Sequence, residues 1–447
     1  MSQTTLCSRS RGGYVLPLLA LAAPVIASQA SSMLVNIADT FMVGRLGDVP
    51  LAAVSFSGNL SVPFMFLGIG MAASITPLVG RRLGRGQTDS INTLVAHARA
   101  LNWRIVLFQL TVMAILTLAM PLMGQPAEVV DIARYYLPIY AASLIGQQMF
   151  VCSRTIIEGL QDTTSPMVIG LACNLLNIAL NYVFIFGVGT YAGMGAYGAA
   201  VSTLICRTLM WAAMEVVLRR KLRQLGIVPA RSHAHSLTTR LMRIGLPLGV
   251  QSVIECMGFA VGGIMMGWIS TEAIAAHQVV NLFTSMTFLM AGGIGTAVTI
   301  KVSIDSGAGN MASARRYVVT GLCLATAFMT CTALTLIALR NVLPALVISS
   351  EGALEIAAHL ILVGALFQLF DGLQVTAIGA LRGFADFNYP ARVATISYAA
   401  TCIPVGFVLA FVVGLGPVGI WFGFVAGLAL AATLLLLRLK RRYMSAQ

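Results

Sequence analysis

The stretch VPLAAVSFSGNLSVPFMFLGIGMAASITPLVG, Val49 to Gly80, contains no Asp, Glu, Lys or Arg. It is longer than the ~20 apolar residues needed to cross a hydrocarbon core. Working outward, the same pattern recurs. Ile105–Ala127 and Ala273–Ile300 are uncharged, and so are the longer runs Thr163–Cys206 and Val393–Leu437, each long enough for two spans. A β-barrel would show alternating segments of ~10 residues instead. Over the 447 residues 58% are hydrophobic and 10% charged, against the ~25% charged of a soluble domain. The sequence therefore predicts an all-α integral membrane protein.

Twelve transmembrane helices are expected, near 14–41, 50–79, 101–123, 130–155, 166–187, 195–218, 244–269, 273–300, 316–340, 352–381, 391–413 and 417–438. The first is read as a retained span, since no small-residue cleavage site and soluble domain follow it. The net charge of +13 reflects topology, because nothing resembles a nucleic-acid module and no nucleic-acid partner is expected. Basic residues gather in alternate links: Arg81, Arg82 and Arg85; then Arg219, Arg220, Lys221, Arg223, Arg231, Arg240 and Arg243; then Arg315 and Arg316; then Arg438, Lys440, Arg441 and Arg442. The links between hold mainly Arg45, Arg134 and Arg340. By the positive-inside rule both termini are cytoplasmic. The eight cysteines form no Cys-x-x-Cys pair, and most stand in apolar spans as small hydrophobes.

The halves read as a repeat. Pro24, Gly44 and Ala52-Ala53 recur in order and spacing as Pro247, Gly267 and Ala275-Ala276. Gly159-x-x-Asp162-x-x-x-Pro166 recurs as Gly383-x-x-Asp386-x-x-x-Pro390. Both long uncharged runs are punctuated by glycine turns, at Gly187-Val188-Gly189 and Gly414-Leu415-Gly416. The expected organisation is an N-terminal six-helix lobe over 1–225, a basic linker over 226–243 and a C-terminal six-helix lobe over 244–447. An even number of helices per repeat predicts a pseudo-twofold axis along the membrane normal and a central cavity.

Against this apolar background three acids stand out: Asp39, Glu255 and Asp371. Each costs roughly 2.5–3.5 kcal/mol at mid-membrane on insertion scales. Glu255 follows Arg243 by twelve residues and Asp371 precedes Arg382 by eleven. At ~1.5 Å per residue both lie about 17 Å from the basic side. Asp39, six residues before Arg45, shares a different level with Asn181, six before Gly187. Asn177 is one helical turn from Asn181 and on the same face. Two polar clusters are expected, Asp39 with Asn177 and Asn181, and Glu255 with Asp371. Their oxygens suit a hard cation such as sodium, and a carboxyl group withdrawn from water can instead carry a proton. Acids that merely tie helices together would not require matched depths. A substrate cavity would draw on Arg207, His277, Gln278 and Phe367. Arg207 either pairs with an acid, binds an anionic substrate group or snorkels. For His277 packing or hydrogen bonding is favoured over catalysis.

Several strings resemble the multidrug and toxic compound extrusion (MATE) family, NorM-like branch. Pro24 through Asp39-Thr40-Phe41-Met42-Val43-Gly44 is similar to its opening motif, Asn174-Leu175-Leu176-Asn177 through Asn181 and Gly187 to its fifth helix, and Gln374 through Leu381-Arg382-Gly383 to its tenth. The resemblance implies antiport by alternating access, in which small organic compounds, mostly cationic or amphipathic, leave as sodium ions or protons enter. It implies no cofactor beyond the coupling ion, no enzyme activity, and a multi-pass functional monomer in a bacterial inner membrane. Asp39, Glu255 and Asp371 match the family's acids in helices one, seven and ten, and would hold the metal if sodium is the ion. Phe367 stands where sodium-coupled relatives can carry a Tyr, and Asn181 where other branches carry an acid, so the ion stays open. The alternative within the superfamily is a lipid-linked saccharide flippase. A membrane-embedded enzyme finds no support: there is no Asp-x-x-x-Asp pair, no His-Glu-x-x-His and no Walker lysine motif.

Overall fold

The computed structural model describes residues 12–189, 192–227, 235–348 and 350–445. Cys7, Arg231 and linker residues 228–234 lie outside the described residues.

Twelve long helices are found among the described residues: α1 Gly12–Gly44, α2 Asp48–Gly84, α3 Thr88–Met123, α4 Ala127–Gly159, α5 Thr164–Phe186, α6 Ala196–Gln224, α7 His235–Gly267, α8 Thr271–Gly307, α9 Met311–Ala338, α10 Glu351–Gly383, α11 Asn388–Val412 and α12 Pro417–Met444. Eleven are apolar and long enough to cross a membrane. The exception, α4, carries Gln147, Gln148, Ser153 and Arg154 along its length. These polar groups are tolerable because much of α4 is buried inside its unit, Ser143, Gln148 and Ser153 included. Interior prolines at 17, 24, 63, 138 and 247 leave these helices unbroken, as membrane helices permit where neighbours satisfy the freed carbonyl.

Several helices outrun their expected ends. The third begins at Thr88 instead of near 101. Its first turns read as a polar link in sequence, yet the polar side chains are paired. Arg99 reaches Glu215 at 2.7 Å, and Asn102 accepts from Gln148 at 2.7 Å. The eleventh is not uniformly α-helical: Ile396–Cys402 and Val408–Val412 are wound as wider π turns. They flank Pro404, which has no N–H to contribute to the ladder.

Two compact units emerge. One is Ala27–Gly249; the other joins Met1–Ile26 to Val250–Gln447. The first is built on a core that includes Ile75, Leu94, Leu101, Ile156 and Leu218, and on a second cluster around Met113 and Leu137. The second has one core of Val298, Ala377, Leu381 and Leu435, and another around Phe367, Trp421 and Phe424. Leu18, Leu21 and Ala22 belong to the former, which is why the start of α1 counts with the second unit.

The sequence repeat has a structural counterpart. Gln161 and Ala385, two residues into the recurring Gly-x-x-Asp motif, have φ of 67° and 61°, the non-glycine residues with positive φ among those described. In each unit the chain closes the helix the same way. Gln161 donates to the Glu158 carbonyl and Asp162 to that of Ile157; Ala385 donates to Arg382 and Asp386 to Leu381. This is the Schellman arrangement of a left-handed helix end. The preceding glycine is required by packing. A Cβ on Gly159 would lie 2.7 Å from Val79 Cβ, and one on Gly383 2.8 Å from Val302 Cβ. Beside them Thr76 donates to the Thr155 carbonyl at 3.0 Å, and Thr299 to that of Gly379 at 2.9 Å.

Candidate functional site

In the first unit the site forms where α1, α5 and α6 meet. The buried residues of α5 are Pro166, Gly170, Asn177, Asn181 and Ile185, a single stripe at helical spacing. Asn177 and Asn181 therefore point inward, where an amide needs partners. Asn181 is wholly buried. Its Nδ2 donates to Asp39 Oδ1 and, at 3.3 Å, to Asn177 Oδ1, and its Oδ1 accepts from the Ser202 hydroxyl of α6. The expected trio of Asp39, Asn177 and Asn181 is thus together in one network, with Asp39 half-buried.

Arg207, also on α6, approaches α4. The two backbones are so close that a Cβ on Gly146 would stand 2.7 Å from the Arg207 carbonyl carbon. The guanidinium donates to Ser143 Oγ at 2.8 Å and to the Tyr140 hydroxyl at 3.4 Å, and lies 4.9 Å over the Tyr140 ring. That ring stacks on buried Tyr136 at 6.0 Å. Arg207 is within electrostatic reach of Asp39, and no described ion pair joins them. Its role narrows accordingly: the side chain is anchored between helices of one unit, with its positive charge in reach of the acid.

In the second unit Glu255 of α7 and Asp371 of α10 are within electrostatic reach of each other. Gln251, one turn before Glu255, donates to Glu255 Oε1 at 3.0 Å, and Arg382 donates to Gln251 Oε1 at 3.5 Å. Asp371 is 4% exposed and its Oδ2 has no hydrogen-bond partner. Two like charges so placed repel unless a cation or a proton sits with them. An unpartnered buried carboxylate oxygen is what such an occupant would take. Tyr398, on a π turn of α11, is buried beside Gln374 and within electrostatic reach of both acids. It fits because Gly258 is bare; a Cβ there would be 2.7 Å from the Tyr398 ring. Among the described residues no three His, Cys, Asp or Glu side chains converge, so a cation in either unit would draw on amide and hydroxyl oxygens as well.

Of the residues expected to line a substrate cavity, two in the second unit lie together. His277 and Phe367 lie in one aromatic cluster: His277 is 5.8 Å from the Trp421 ring, and Phe367 5.7 Å from Trp421 and 6.0 Å from Phe259. Both are almost fully buried, whereas Gln278 is exposed. Ser202, Ser143, Tyr140, Gln251 and Tyr398 join the polar networks without having stood out in the sequence, where Gln374 stands only as the start of a family string. Only Gln251, an amide four residues from an acid in an apolar span, carried a usable signal. Arg382, in sequence the marker of a helix end and part of the string similar to the family's tenth helix, lies within α10, which continues to Gly383.

The MatE family model matches residues 24–183 and 247–408, one stretch in each half. The chain belongs to the MatE family. Multidrug resistance protein MdtK of Edwardsiella ictaluri (strain 93-146) is similar to it, at 31% identity over 434 residues that cover 95% of this chain and 94% of the relative. The probable multidrug resistance protein NorM of Rhizobium meliloti (strain 1021) is 32% identical over 454 residues, covering 96% and 94%. A solved structure, the eukaryotic MATE transporter AtDTX14, superposes with a TM-score of 0.87 at 20% identity over 96% of each chain. The two-lobed MATE fold is therefore shared. This MatE chain is a multi-pass membrane protein, and the two stretches that match the family model contain Asp39, Asn177 and Asn181 in one case and Glu255 and Asp371 in the other.

Proposed function

We propose that this MatE protein is a secondary active multidrug exporter of the bacterial inner membrane, acting as a monomer with both termini cytoplasmic. It exchanges organic, mostly cationic or amphipathic compounds for sodium ions or protons by alternating access. The observation that carries the reading is the pair of acid networks in apolar membrane helices: Asp39 held by Asn181, and Glu255 held by Gln251 with Asp371, whose buried Oδ2 has no hydrogen-bond partner, in electrostatic reach. Buried acids in membrane helices mark ion pathways far more often than they stabilise folds. The names of the multidrug relatives agree with it.

Antiport requires that ion and substrate stabilise different orientations, since a ligand moves an equilibrium only through differential affinity. Competition for the same acids supplies that difference: an organic cation and a coupling ion cannot both neutralise Asp39. To decide the ion, inverted membrane vesicles are loaded with a fluorescent organic cation under a sodium gradient alone or a proton gradient alone. Accumulation under one gradient is expected. No accumulation under either, from a well-expressed protein, counts against antiport.

A further inference from the structure

The last turns of α12 form a site that the transport chemistry does not use. A cavity of about 470 Å³ is lined by Tyr389, Leu434, Leu437, Arg438, Arg441 and Arg442. Its chemistry changes sharply along its length. Leu434 and Leu437 end an uncharged run, and Leu437 is 41% exposed. From Pro417 to Leu437 the helix rises about 31 Å, close to the ~30 Å of a hydrocarbon core. Arg438 thus stands where the acyl region gives way to headgroups, with Arg441 and Arg442 within the next turn.

The site is built, not a frayed end. Tyr443 stacks on Phe384 with centroids 4.2 Å apart, its hydroxyl reaches Asp386 at 3.5 Å, and Arg315 of α9 donates to the Tyr443 carbonyl. The final turn, Lys440–Met444, is wound as a π turn. One of the three guanidinium groups is neutralised: Arg438 pairs with Asp386 at 3.0 Å and lies 4.8 Å over the Tyr389 ring. No carboxylate pairs with Arg441 or Arg442 among the described ion pairs, and both are exposed. One cavity therefore offers an apolar wall, an aromatic side and two uncompensated guanidinium groups, which bind phosphate oxygens through paired N–H donors.

We propose that this cleft holds an anionic glycerophospholipid, its phosphate among Arg438, Arg441 and Arg442 and an acyl chain along Leu434 and Leu437. Basic pockets at membrane helix ends are suited to such headgroups. The test uses the full-length protein, stripped of lipid in detergent. Native mass spectrometry counts bound lipid, and thermal melting is followed on adding phosphatidylglycerol, phosphatidylcholine or inorganic phosphate. Wild type should prefer phosphatidylglycerol to phosphatidylcholine. The Arg441→Gln, Arg442→Gln double variant should lose about thirtyfold in phosphatidylglycerol affinity, with its lipid-free melting unchanged because both side chains are exposed. Arg441→Lys with Arg442→Lys should keep most of the preference, and Arg220→Gln with Arg223→Gln, in the basic last turns of α6, all of it. Equal affinity for the two lipids, or a preference that survives in the double Gln variant, overturns the proposal. So does inorganic phosphate that stabilises as well as the lipid, which would mark a small-anion site.

Discussion

Asn181 uses both ends of its amide at once: the NH2 on Asp39 and Asn177, the oxygen on Ser202. Asn181→Ala would take from Asp39 its amide donor and from the buried Ser202 hydroxyl one of its two acceptors, leaving it the Ala199 carbonyl. A cost of roughly 1–3 kcal/mol is expected, seen as a lower melting temperature in detergent, with weaker drug efflux from cells at equal expression. Unchanged melting would mean that the network is not as drawn. Asp39, Glu255 and Asp371 were legible in the sequence because an acid in an uncharged span is costly and persists where it has something to bind. Their supporting groups were not. Ser202 and Gln374 are unremarkable in a membrane helix until a neighbour is placed beside them. Tyr398 was hidden for a geometric reason, since the π turn over Ile396–Cys402 shifts its direction away from that of an α-helix.

For the helices themselves, the membrane-crossing middles were legible because uninterrupted apolar length is the dominant signal, and the ends were not. Thr88 to Ala100 looks like a link until Arg99 finds Glu215 across a helix contact. The Gly-x-x-Asp helix ends were visible as a repeated string, but the left-handed residue inside each was not, because neither Gln161 nor Ala385 is a glycine. Two predictions belong here. Gly383→Ala pushes a methyl to 2.8 Å from Val302 Cβ and should destabilise by about 1–3 kcal/mol; Gly159→Ala should behave alike against Val79. Ala385→Gly relieves an L residue held at φ 61° and should stabilise by up to about 1 kcal/mol. Melting of the purified variants checks both, and a stabilising Gly383→Ala would refute the packing argument.

Over the whole molecule, the repeat seen as matched prolines and glycines returns as matched helix ends, threonine hydrogen bonds and glycine contacts in each unit. The polar sites do not follow the repeat as closely. Where Glu158 occupies the residue before Gly159, Arg382 occupies the residue before Gly383, so a shared backbone carries opposite charges. That divergence could not be read from spacing alone. The charge distribution of the links makes a topological prediction. In a cysteine-free background, Arg220→Cys should react with a membrane-impermeant maleimide only from the cytoplasmic side, and Val188→Cys, between the turn glycines, only from outside. Labelling of both from one side would overturn the orientation.

The central claim is that the acids within the membrane helices couple an ion to export. It is tested most directly by gradient-driven uptake of an organic cation into inverted vesicles carrying wild type or the Asp39→Asn, Asp371→Asn double variant at matched amounts. A fall of at least about tenfold, equivalent to ~1.4 kcal/mol, is predicted for the variant, with weaker binding of the organic cation to the purified protein. Coupled uptake that matches wild type would contradict it.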